Sequence, residues 1–263
     1  AQARGLAIFA VYGIQRGDGS FEKLAMGVTR NVNPIMGKEI AADVIIDTHL
    51  DLEVPVSVEN QPGGFSGGST AVYAFVDLGS EGVIPVGVAT VGGMIGGSSD
   101  ARFTGLPNLS ASAFIFEAWG GRSGSFFPLT VAFRRQMGDF GDGIKVGPLL
   151  GLTSFVESWS SLEGTIEWKR EPGPTPEFAW VLVENANTGA PIWHAVLPGS
   201  EKRFTIPSPI LARLREDLNM GASLRVTLVQ GVEPRFDFGQ WSYFDMGLNA
   251  YTSFTYDVFT FRF

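Results

Sequence analysis

The run from Val44 to Val58, V-I-I-D-T-H-L-D-L-E-V-P-V-S-V, constrains the fold more than any other part of the sequence. Its even positions are Val44, Ile46, Thr48, Leu50, Leu52, Val54, Val56 and Val58, and its odd positions include Asp47, His49, Asp51 and Glu53. Successive side chains of a strand point to opposite faces. The spacing therefore predicts a strand, or two strands joined by a bend, with one apolar and one acidic face. An apolar face of that length has to be covered by a second layer, which points to a β-sandwich or barrel.

Other segments repeat the signal. Leu6–Tyr12 is an unbroken apolar run and reads as a buried first strand ending at Gly13, before the Asp18-Gly19 turn. Strands are expected at 25–32, 71–76, 83–88, 112–119 and 129–133, with 83–88 an edge strand because Pro85 cannot donate to a ladder. Glycine-rich loops follow at 61–69 and 92–99; neither carries the G-x-x-x-x-G-K-[ST] pattern of a phosphate cradle. The polar, small-residue stretch 154–164 reads as a domain boundary, dividing the chain into 1–160 and 165–263. Beyond it strands restart at 166–168, 178–183, 191–196, 204–206 and 224–228, and the β-prone run 254–263 closes the chain. One short helix is expected near 209–218, where Ile210, Leu211, Leu214 and Leu218 fall at helical spacing behind Ser208-Pro209. The fold class is all-β: two tandem antiparallel β-sandwich domains and one short helix.

Composition supports this reading and narrows function. With 21 Phe, 34 Gly and 15 Pro in 263 residues, the chain has the texture of an all-β protein with many turns. It has no cysteine, which rules out disulfides, thiolate catalysis and thiolate metal sites. Net charge is −8 and no basic run exceeds two residues, so no nucleic-acid partner is expected. No apolar stretch is long enough to be a transmembrane helix. The chain opens A-Q-A-R-G without a leader pattern, which leaves open a leader or lipid anchor removed from a longer precursor.

Catalytic sets are sparse. The two histidines, His49 and His194, stand alone in their halves, and there is no G-x-S-x-G elbow. The acidic face leaves two readings open: a solvated edge that also discourages aggregation, or a metal site, calcium above all, built from Asp47, His49 and Asp51. On a straight strand these three form a row with neighbours about 6.6–7 Å apart, so one ion could be shared only if the chain bends between Thr48 and Leu50. Asp51 and Glu53 could also serve a carbohydrate-acting or calcium-dependent enzyme together with Asp47. Trp193 and Trp241 are candidates for ligand stacking, whereas Trp168 and Trp180 read as core.

The last hundred residues resemble a fibronectin type III module. The resemblance rests on Ile166-x-Trp168 as second strand, Trp180-Val-Leu-Val183 as third, and Leu224-Arg-Val-Thr-Leu228 as sixth; Leu224 stands where the family has a tyrosine, and the helix is an insertion. It implies a seven-strand sandwich and carries no catalytic residue. The first part resembles transthyretin-like or bacterial Ig-like modules of extracytoplasmic, often lipid-anchored, proteins, through the 44–58 alternation and A-V-Y-A-F-V-D-L-G. These resemblances imply a non-catalytic extracytoplasmic bacterial protein that binds or scaffolds a protein or glycan partner. An assembly subunit pairing through its terminal strand is the alternative.

Overall fold

The computed structural model describes residues 5–60, 69–92, 101–121, 127–156, 164–217, 223–234, 236–240 and 252–262. The glycine loops, the centre of the 154–164 stretch, Leu218 and Trp241 lie outside these residues. Sixteen strands are described: β1 Leu6–Gln15, β2 Phe21–Val32, β3 Thr48–Val58, β4 Ser69–Asp77, β5 Val83–Gly92, β6 Ala101–Pro107, β7 Ala113–Gly121, β8 Leu129–Met137, β9 Ile144–Val146, β10 Thr153–Phe155, β11 Thr165–Arg170, β12 Phe178–Asn185, β13 Pro191–Pro198, β14 Arg203–Thr205, β15 Ser223–Val232 and β16 Ser253–Arg262. The helix, α1, spans Ser208–Asp217. No described helix is long and apolar enough to cross a membrane.

The strands form three sheets. One runs β1-β2-β3-β6, with β9 parallel to the end of β3; one runs β10-β11-β14; the third is an eight-stranded sheet, β13-β12-β15-β16-β8-β7-β4-β5. All other pairings are antiparallel. The eight-stranded sheet is shared. Half of it covers the five-stranded sheet and half covers the three-stranded sheet, so two sandwich cores lie along one continuous layer.

The first core contains the apolar face of β3. Leu50, Val54, Val56 and Val58 are buried and Leu52 is half-buried, beside Phe103 and Leu106 of β6 in the same sheet and in one core with Phe114 and Phe116 of β7 in the other. Burial of each such side chain stabilises by about 1.5–3 kcal/mol. The second core is formed by Ile166, Trp168, Val181, Val183, Leu224, Val226 and Leu228, capped by Leu211 of α1 and Ile206.

The terminal strand, expected as a pairing edge, lies inside the eight-stranded sheet: β16 is bonded to β15 along its length and to β8 over its first four residues. Two further expectations need correction, the first of them on β3. The strand does not begin at Val44. Residues 44–47 have no strand pairing and cross the hairpin β1–β2, so that a Cβ on Gly27 would lie 1.9 Å from the Ile45 carbonyl oxygen. Only glycine admits that crossing. Thr29 Oγ1 donates to the Asp43 carbonyl (2.6 Å) and fastens the same segment. Ile46, assigned to the core by alternation, is accordingly 42% exposed. The second correction is β1, which is an edge strand with Leu6, Ile8, Phe9, Tyr12 and Ile14 all exposed rather than a buried strand. It also runs past Gly13, through a bulge between Tyr12 and Gly13.

A carboxylate anchors the hairpin to the opposite sheet. Glu81, in the turn between β4 and β5, accepts from the backbone N–H of Asn31 (2.6 Å) and from the Arg30 guanidinium. Arg30 also donates to the Leu78 carbonyl (2.8 Å). The Asn31 N–H, and then Arg30, hold the Glu81 carboxyl below its usual range. A depressed carboxyl contributes stability that is fully present above the ordinary glutamate pKa and is lost as pH falls through the lower folded value. Acidification below about pH 4 should therefore reduce amide protection in 25–32 ahead of the second core. Glu81→Gln should show the looser hairpin already at neutral pH; hydrogen-exchange protection factors equal to those of the unaltered chain would refute the anchor.

Candidate functional site

The acidic row is laid out along β3 as a row. Asp47, just before the strand, and His49, Asp51 and Glu53 within it are all exposed. The strand continues unbroken through Thr48–Leu50, and the irregularities of its ladder with β6 fall later, between Leu50 and Leu52 and between Leu52 and Val54. Among the described residues no three His, Asp or Glu side chains are grouped to hold an ion. Thr48 Oγ1 donates to Asp47 Oδ1 at 3.2 Å, a contact confined to neighbours. The row shares a sheet face with Ala25 and Tyr12, through the cross-strand pairs His49–Ala25 and Ala25–Tyr12.

Of the stacking candidates, Trp193 is half-buried and packs against the second core, its ring stacked on Phe204 at 4.8 Å and 25°. That is a packing role. Trp241 lies outside the described residues. Trp168 and Trp180 belong to β11 and β12, Trp168 being 2% exposed with its indole Nε1 lacking a hydrogen-bond partner.

One aromatic pair on a sheet face turned to solvent was not singled out from the sequence. Tyr73 of β4 and Trp119 of β7 are 41% and 39% exposed on the outer face of the eight-stranded sheet. Their rings meet edge to face at 6.4 Å and 82°. Trp119 Nε1 donates to Glu117 Oε2 (3.1 Å), which fixes the indole, and Glu117 stands opposite Tyr73 in the ladder. Val88 of β5, opposite Tyr73 on the other side, is 59% exposed, and the Arg135–Asp77 ion pair borders the patch. A signal existed: both aromatics fall on the solvent phase of strands whose other phase, Val72, Ala74, Phe116 and Ala118, is core.

Where the two cores meet lies a buried polar seam. Thr153 Oγ1 donates to Gln230 Oε1 (2.7 Å), and Thr153 N–H donates to Thr255 Oγ1 (3.2 Å). Thr255 Oγ1 in turn donates to the Leu129 carbonyl (3.1 Å). Phe155 N–H donates to Asp257 Oδ2 (3.0 Å), and Gln230 Nε2 donates to the Gly199 carbonyl (3.3 Å). Arg170 donates to the same carbonyl, and burial pulls its pKa down; burial likewise pushes the Tyr256 phenol up. The seam's hydroxyls and carboxylate serve backbone groups of β8, β10 and β16. Their chemistry is structural.

The fold and its surface thus define an antiparallel β-sandwich protein with an aromatic outer sheet face. No protein-family model and no curated protein matches the chain.

Proposed function

We propose that the protein is a non-catalytic binding or scaffolding protein of an extracytoplasmic bacterial compartment, which engages a glycan or protein partner through the outer face of the eight-stranded sheet. One observation carries this reading: Tyr73 and Trp119 are displayed to solvent on a sheet stiffened by two cores, with Glu117 holding the indole in place. Large rigid aromatics with a polar tip supply contact area at low conformational cost, and a preorganised surface loses little entropy on binding. Within 165–263 six strands are described, β11 to β16, against the seven that the resemblance implies; β10, at 153–155, joins them from before the expected boundary.

The test is a thermal-shift and calorimetry screen against a glycan panel, run with calcium and with EDTA, on the native chain and on Trp119→Ala. A ligand whose affinity falls at least about tenfold in Trp119→Ala, with the melting temperature moved by only about 2 °C, is the expected result. Calcium stabilisation lost in Asp47→Ala/Asp51→Ala would instead assign the acidic row to an ion. Glycan cleavage abolished by Asp51→Asn or Glu53→Gln would replace the binding reading with an enzymatic one.

A further inference from the structure

We propose that the outer edge of β1 is a self-association surface, where a second copy of the chain adds its own β1 antiparallel and joins two five-stranded sheets into one. Among the described residues, the sheet-edge strands longer than three residues are β1, β5, β6 and β13. Three of them carry a device that discourages pairing: Pro85 in β5, Arg102 and Pro107 in β6, Pro191 and Pro198 in β13. Strand β1, L-A-I-F-A-V-Y-G-I-Q, has ten residues with neither charge nor proline. Among the described residues it is flanked by β2 alone, so alternate N–H and C=O groups turn outward along its other side.

The side chains along this edge are apolar on both faces. Leu6, Ile8, Phe9, Tyr12, Ile14 and Phe21 of the hairpin are 39–57% exposed. By strand alternation Leu6, Ile8, Tyr12 and Ile14 lie on one face of β1 and Phe9 on the other, so a strand added along the edge covers the flanks of apolar side chains on both faces while its ladder engages the backbone. Charge selects the arrangement. An isologous pair sets each group against a copy of itself or its neighbours, which a strand free of charge tolerates in a chain of net charge −8. Edge pairing puts β2, β1 and their copies between the two acidic rows, about 24 Å apart, more than two Debye lengths at physiological salt. Stacking the outer faces would press Asp47, Asp51 and Glu53 of the two copies together. A second copy at the edge is therefore the occupant.

The surface is independent of the aromatic face on the eight-stranded sheet, so each proposal stands or fails by itself. Sedimentation of the native chain from about 1 to 100 μM should show a monomer–dimer equilibrium. Ile8→Lys and Tyr12→Lys alter exposed side chains and should keep the native circular dichroism while raising the dissociation constant at least about tenfold. Val88→Lys on β5 should leave it unchanged. A monomer throughout the range, or a dimer indifferent to both β1 substitutions, would overturn the proposal. So would a dimer that tightens strongly with added salt, or a monomer that binds lipid vesicles through the same residues.

Discussion

Phe116→Ala is expected to cost about 3–5 kcal/mol, the largest effect of any single truncation proposed for this chain. Phe116 is fully buried and touches three other rings: Phe103 at 5.8 Å, Phe114 at 6.1 Å and Phe140 at 5.8 Å. Phe114 and Phe140 also meet each other edge to face at 5.0 Å, so removing the central ring leaves partners that hold one another in place. Such a site collapses poorly and keeps its cavity. Against a typical total stability of about 5–15 kcal/mol, the loss is a fifth or more. Guanidinium titration followed by peptide-level hydrogen exchange reads it. Because β16 is hydrogen-bonded to β15 on one side and to β8 on the other, both cores should lose protection together. A cost below about 1 kcal/mol would mean that the four rings do not form this cluster.

How much of this was legible depends on whether a feature is periodic. The buried face of β3 could be read because every second residue from Leu50 to Val58 is apolar and pairing with β6 puts them all on one side. Short α1 was legible from its spacing and its Ser208-Pro209 start. Strand β1 was misread because an apolar run that is buried on both faces and one that waits at an exposed edge have the same sequence. Strands β9 and β10 have three residues each, too few for a period, and exist through their partners β3 and β11. Residues 44–47 continue the alternation of β3 without its pairing, and the cause sits elsewhere, at Gly27. The site fared similarly. Asp47, His49, Asp51 and Glu53 were placed correctly on an exposed face, while Tyr73 and Trp119 gained meaning only once β4 and β7 were known to be neighbours. A threonine in a β-prone strand carries no mark of burial, so Thr255 and the seam were invisible.

That seam yields the second large effect. Thr255→Val keeps shape and removes one hydroxyl that receives the Thr153 N–H and donates to the Leu129 carbonyl. Thr153 and Thr255 are fully buried and Leu129 nearly so. Each deprived group loses its partner away from water at about 1–3 kcal/mol, so the substitution should cost about 2–6 kcal/mol. Thr255→Ser retains the hydroxyl and should cost less than about 1 kcal/mol, which separates the hydrogen bonds from the methyl group. Location matters as much as magnitude. Thr255 lies where β16 is paired with β8 as well as β15, and its hydroxyl also holds β10. Weakening it should turn the joint loss of protection into two steps, with residues 101–137 and 165–232 exchanging at different denaturant concentrations. Valine tolerated as well as serine, with the two cores still unfolding together, would show that β-ladder pairing alone joins them and that the polar seam is incidental.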